Sequence, residues 1–214
     1  MNLLSANRAR AAGGGWSPTR KLLASVAVLG AAASIAGLGT FATFTSSTST
    51  SHTVSSGTVT IALGATGAST NRLNIGATAI APGDTIQRSV DLINSGSLDL
   101  ASITLTTTAT ASSLLDTDAA NGLQMVIDKC SVAWTESGPP YTYTCGGVTS
   151  SVLASRAVIG NALALSNLGS TTAGATDHLR VTLTLPGAAG NTFQNQSSTI
   201  SYAFTGTQRT ATNK

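Results

Sequence analysis

The chain has 214 residues, 42% of them hydrophobic but only 9% charged and 4% aromatic, which leaves enough apolar material for a core and excludes disorder driven by charge. Its formal net charge of +3 belongs to the first residues: Arg8, Arg10, Arg20 and Lys21 precede the first apolar run, and from residue 43 onward seven basic side chains face eight acidic ones, a net of −1. Those seven stand singly along the sequence, so the clustered cations that a nucleic-acid partner requires are missing.

The first element is a leader. Leu22 to Leu38 carries no charge and is followed by Gly39-Thr40-Phe41-Ala42-Thr43. A basic start, a short apolar run and a small residue at its end predict a secretory signal peptide over residues 1–42, cut between Ala42 and Thr43. The alternative is an uncleaved anchor, since the run is just long enough to cross a bilayer; its Gly and Ala content makes it a weak one. Membrane contact is therefore expected only through an uncleaved leader. The leader has no Arg-Arg pair and no Cys, which argues against twin-arginine export and lipid attachment.

Residues 43–57 follow, almost all Ser and Thr, with scarcely an apolar side chain to bury; such a segment cannot nucleate a core by itself. From 58 to 214 the pattern is that of a single β domain. Val59, Ile61 and Leu63 alternate with hydroxylated or small residues, as do Val90 with Leu92, Ile103 with Leu105, Leu179 through Leu185, and Ile200, Tyr202 and Phe204. Period-two alternation marks strands with one apolar face. Turn signals separate them at Ala81-Pro82-Gly83-Asp84, Asn94-Ser95-Gly96, Ser137-Gly138-Pro139-Pro140 and Pro186-Gly187. Many short strands with threonine on their outer faces predict an antiparallel sandwich. One or two short helical insertions are expected, with Ser112 to Asp118 and Ser150 to Arg156 as the stretches that could each make a turn or two of helix. A weak echo between 75–92 and 168–183 would suit a jelly roll, which is built from two Greek keys.

Cys130 and Cys145 are the only cysteines. In an exported chain an even count favours one disulfide, and two Cys without a nearby His cannot make a four-ligand zinc site. Leu123, Met125 and Ile127 share one parity and Cys130, Val132 and Trp134 the other, which predicts a bulge near Asp128-Lys129. Pairing the cysteines then sets Val132 opposite Tyr143 and Trp134 opposite Tyr141, a hairpin held by aromatic and β-branched pairs, although a slipped register is the alternative.

Catalytic chemistry is hard to find. His52 lies in the Ser/Thr segment and His178 on an outward strand position, with no His-Glu-x-x-His neighbourhood and no Gly-x-Ser-x-Gly elbow. Asp116-Thr117-Asp118-Ala119-Ala120-Asn121-Gly122 departs from a calcium loop by one residue and lacks the closing Glu, so it reads as a polar loop. Asn195-Gln196-Ser197 is formally a glycosylation acceptor, a triplet frequent by chance. No catalytic, cofactor or metal residue is predicted.

Taken together, the residues resemble the TasA/camelysin family of secreted bacterial matrix proteins. The resemblance rests on the leader ending Gly39-Thr40-Phe41-Ala42 and on Ser56-Gly57-Thr58-Val59-Thr60-Ile61. It rests further on Ile80-Ala81-Pro82-Gly83-Asp84 with Asn94-Ser95-Gly96-Ser97-Leu98, and on the closing stretch Phe193 to Phe204 with Gln208. It implies an all-β jelly roll, processing by a dedicated signal peptidase, and a secreted location in the extracellular matrix or at the cell surface. Self-association into fibres is implied as well, with an accessory matrix protein as a further partner. Thr43 to Ser56 is then the candidate strand lent to the next subunit, since an extended segment can pair with an open sheet edge and head-to-tail donation makes filaments. The family's metalloendopeptidase label is not expected to hold here, because two histidines and dispersed carboxylates make no ligand set. A glycan- or surface-binding role is a third reading, with Trp134, Tyr141 and Tyr143 as its only aromatic platform.

Overall fold

A computed structural model describes residues 56–212; the leader, the Ala42–Thr43 junction and the candidate donor segment up to residue 55 lie outside the described part. Ten strands form in chain order: β1 (Ile61–Leu63), β2 (Thr85–Asn94), β3 (Leu100–Ala111), β4 (Gln124–Cys130), β5 (Thr135–Ser137), β6 (Thr142–Thr144), β7 (Thr149–Ala157), β8 (Gly160–Ala164), β9 (Thr176–Thr184) and β10 (Thr199–Gln208). Among the described residues the helical content is a single turn, α1 (Leu114–Thr117), and a 3-10 turn at Asn191–Phe193. Ser113 starts α1 as a capping box: its hydroxyl accepts from the helix backbone while Asp116 reaches back to the Ser113 N–H.

The strands form a five-stranded sheet in the order β1-β2-β9-β4-β7, a three-stranded sheet β10-β3-β8 and the small hairpin β5-β6, all antiparallel. The inner faces meet in one core. Val90, Leu92, Leu105, Met125, Ile127 and Leu179 are fully buried, and they are the apolar halves of the period-two patterns. Thr107 also points inward, and its hydroxyl is satisfied by the Val158 carbonyl at 2.6 Å.

The chain order of these pairs is that of an all-β, jelly-roll-like sandwich, a long hairpin folded over on itself so that rungs nest. β4 pairs with β7, β3 with β8 and β2 with β9. The next rung outward would join β10 to a strand preceding β2. β1 precedes β2 but pairs with it along Ile61↔Asn94 to Leu63↔Leu92. Among the described residues, then, β10 has β3 on one side and no strand on the other.

Three local expectations are corrected. Ser150 to Arg156 is not helical but lies within β7, where Val152 and Leu153 are both buried. Consecutive inward residues break the alternation that would have marked a strand, and they arise because β7 carries an extra residue opposite Ile127 and Asp128. The bulge expected near Asp128-Lys129 therefore lies in β7. β4 itself runs evenly along β9 from Gln124 to Cys130, and Cys130 is buried on the opposite face from Ile127. The hairpin is also slipped: Thr135 faces Thr144, Glu136 faces Tyr143 and Ser137 faces Thr142, so neither Val132–Tyr143 nor Trp134–Tyr141 is a cross-strand pair.

Candidate functional site

Of the resemblance-bearing residues, Pro82, Gly83, Asp84, Asn94, Gly96 and Leu98 fall at the two ends of β2. At its start, Gly83 adopts φ +95, a left-handed value that glycine tolerates. Its N–H donates to the Leu185 carbonyl at 2.7 Å, while the Asp84 carboxylate accepts from the Ala81 N–H at 2.7 Å and Pro82 fixes the turn between them. At its end, the wholly buried Asn94 accepts from the Gly96 N–H and donates to the Leu98 carbonyl, both at 3.1 Å. A side chain at Gly96 would stand 2.4 Å from the Thr58 carbonyl, so glycine is what lets residues 58–60 lie across this turn. These six residues are turn locks at opposite poles of the sandwich and do not converge on one site.

What they frame is the β10 edge. β10 pairs evenly with β3 from Ile200↔Ala109 to Thr207↔Ser102. Its inward residues Ile200, Tyr202 and Phe204 pack on the core yet stay only half-buried. Beside them a cleft of about 660 Å³ runs between the sheets, lined by apolar Leu73, Ile80, Ile86, Leu183 and Phe193 together with polar Asn74, Thr78, Arg88, Gln194 and Ser198. Burial of its hydroxyl pushes the Tyr202 phenol up to about 12. At the other pole the space beneath the edge is closed, because Ile61 and Leu100 crowd the bare Cα of Gly206. The β7 and β8 edges are different in kind: β7 is bulged, and β8 is five residues long with Ala162 at φ +49. Short, irregular edges resist pairing with another chain; the regular eight-residue run from Ile200 to Thr207 does not.

The outer face of the five-stranded sheet is covered by the hairpin. Cys130 and Cys145 are joined, closing a loop across 15 positions. The Trp134 indole N–H donates to the His178 carbonyl at 2.9 Å and its ring lies under Arg180 at 4.5 Å. Tyr141 is flanked by Arg72 and Arg88 at 4.9 and 5.3 Å, and Tyr143 is buried. The three rings proposed as a glycan platform are thus engaged within the molecule. Glu136 receives the Arg72 guanidinium at 2.6 and 2.9 Å and the Tyr143 hydroxyl at 2.9 Å. The Arg72 hydrogen bonds hold its carboxyl below the ordinary range, and the same contact raises Arg72.

The residues tested for a metal do not fit one. His178 Nδ1 meets Asp91 Oδ1 at 2.7 Å, while Asp128 is taken by Arg180 at 3.0 Å and Asp177 by Lys129 at 3.1 Å. Among the described residues no three His, Cys, Asp or Glu side chains gather, and zinc requires at least that many protein ligands; His52 lies outside the described part. In the loop weighed as a calcium site, Asp116 is occupied by Ser112, Ser113 and Ser198, and Asp118 by the N–H groups of Ala120 and Asn121. Asn195 is exposed, in a turn at φ +57.

Sequence reasoning missed the cleft and Glu136. The cleft depends on which strand lacks a neighbour, and Glu136 looked like one more isolated charge. Among the described residues no helix is long and apolar enough to cross a membrane. A family model described as camelysin metallo-endopeptidase matches residues 18–213. A search of curated proteins finds no match.

Proposed function

The chain belongs to the TasA/camelysin family, and from that premise we propose that it is a secreted structural subunit. In this reading it polymerises into extracellular fibres by placing its N-terminal segment against the β10 edge of the next copy. One observation supports the reading: among the described residues, the regular β10 edge has no strand on its outer side and lies above a cleft with apolar side chains in its wall, at the position of the sandwich's outermost rung.

The direction of the chain favours a second copy over self-insertion. Residues 56–60 lie beside the β2–β3 turn, where the Thr58 N–H donates to Ser97 Oγ at 2.9 Å. The cleft opens at the opposite pole, by the start of β2 and the end of β9. A chain's own tail drawn back along β10 would run parallel to it, in a sandwich whose strand pairs are all antiparallel. A tail from a neighbour enters antiparallel, and the neighbour's exit pole then abuts the cleft pole, which repeats head to tail without closing. At about 3.3 Å per residue, residues 43–55 reach about 43 Å against about 33 Å for the ten residues of β10, enough to span the edge and link the domains.

Protein secreted with its N-terminus at Thr43 should form regular filaments by electron microscopy. A variant lacking residues 43–56 should remain monomeric. If the truncated form polymerises as well as the intact one, donation of this segment is wrong.

The second reading, hydrolysis, is favoured by the family's description and by a His–carboxylate pair among the described residues, His178–Asp91. Zinc-dependent cleavage of casein by homogeneous protein, lost in His178→Ala, would establish it. Against it stands the dispersal of the donor groups, each held by a structural partner.

A further inference from the structure

One wall of the cleft is formed by residues 73–80 of the link between β1 and β2, and the earlier part of that link, residues 64–72, is held by its own turns and by β2. That part touches β2 through the bridge Asn71↔Val90, through the Gly64 N–H to the Asp91 carbonyl at 3.0 Å, the Asp91 N–H to the Thr70 carbonyl at 2.7 Å and the Arg72 N–H to the Ser89 carbonyl at 2.9 Å, and through the Ser89 hydroxyl to the Ser69 carbonyl at 2.6 Å. Beyond that, Leu73, Ile75 and Ile80 turn into the cleft while Asn74 and residues 76–79 are exposed. Within the link the Leu73 N–H donates to Asn71 Oδ1 at 3.2 Å and the Ile75 N–H to the Arg72 carbonyl at 3.0 Å, and further contacts come from outside it. Arg88 of β2 donates to the Ile75 and Gly76 carbonyls at 2.7 and 2.8 Å. Arg72 is gripped by both oxygens of Glu136 on β5, and it also donates to the Gly67 carbonyl. Tyr141, at the tip of the hairpin, fills the space between the two guanidinium groups.

We propose that the disulfide-closed hairpin β5–β6 is the buttress of the acceptor cleft, with Glu136 as the positioning residue: it holds Arg72, and through Arg72 the wall carrying Leu73 and Ile75. The inference rests on the donor-strand reading above. A two-stranded hairpin of three residues a side is not stable alone. It serves as a strut here because its base is closed by Cys130–Cys145, Trp134 is pinned to His178 and Tyr143 is buried. An incoming strand then meets a preformed wall and avoids the cost of ordering a mobile one, which raises affinity without adding a contact.

The test uses the secreted protein and a fluorescent peptide of residues 43–56 as probe. Glu136→Gln keeps the shape and removes the charge. Peptide capture and filament growth should each fall by about tenfold, the scale of one charged hydrogen-bonded contact. Amide exchange should quicken across 72–80 while β4 and β9 stay protected, a local signature that general destabilisation would not give. The exchanged pair Arg72→Glu with Glu136→Arg should recover most of the capture. Wild-type protein that captures the peptide alongside a Glu136→Gln variant that captures it equally overturns the buttress. Wild-type protein that neither captures peptide nor forms filaments overturns the donor-strand reading itself, and the buttress with it.

Discussion

At the scale of single residues, the clearest energetic statement concerns Asp177. It is 4% exposed at the end of the core, where burial alone would raise its carboxyl. The N–H groups of Ser170 and Gly169, at 2.7 and 3.1 Å, and the Lys129 ammonium at 3.1 Å outweigh burial and leave the group below its ordinary value of 3.8. Asp116 is depressed in the same way: burial raises it, and hydrogen bonds from Ser198, Ser113 and Ser112 lower it further. A carboxyl depressed in the folded state contributes stability that is complete above the unfolded value and lost as pH falls through the folded one. Thermal melts should therefore be level from neutral pH down to about 5 and fall steeply below about 4. Asp177→Ala leaves Lys129 unpaired and should cost about 3 kcal/mol at neutral pH, with a shallower acid limb; an unchanged acid limb would show that Asp177 is not a major contributor. Neither partner was legible from the sequence, where Lys129 and Asp177 are lone charges 48 positions apart. Only the β4–β9 register makes them neighbours.

At the scale of elements, period-two alternation located the sandwich strands because each has one face on the core. It failed where a strand is bulged, as in β7, and where partners are chosen by contacts outside the pair. The hairpin shows the second case. Setting the two cysteines directly opposite predicted one register, with a slipped one as the alternative; the rings pack against guanidinium groups and the sheet, and the slipped register puts Glu136 opposite Tyr143. The disulfide then closes a loop of about 15 residues, worth roughly 3 kcal/mol in the chain-entropy model. Replacing both cysteines by serine should lower denaturant stability by about that amount and quicken exchange in 72–80, as Glu136→Gln does. A double variant with native exchange in that link would mean that packing alone holds the hairpin.

At the scale of the molecule, scarcity of charge acquires a purpose. Among the described residues four ion pairs absorb side chains on the five-stranded sheet, its hairpin and the β1–β2 link, while β10, Thr-Ile-Ser-Tyr-Ala-Phe-Thr-Gly-Thr-Gln, carries no charge at all. Edge strands are commonly guarded by lysine, so the bare edge was visible in the sequence, whereas its being an edge was not. Association through backbone hydrogen bonds and apolar burial is weakly screened; filament growth between 0.05 and 0.5 M salt should change by less than about twofold. A steeper dependence would point to an ionic contact elsewhere. The placement of Ser56 at the pole opposite the cleft has one more consequence. A fibre assembled this way has two unlike tips, one presenting a vacant cleft and the other a loose tail. A subunit stripped of its tail can occupy the tail tip and expose no new tail, so it stops growth there and leaves the other tip free to elongate.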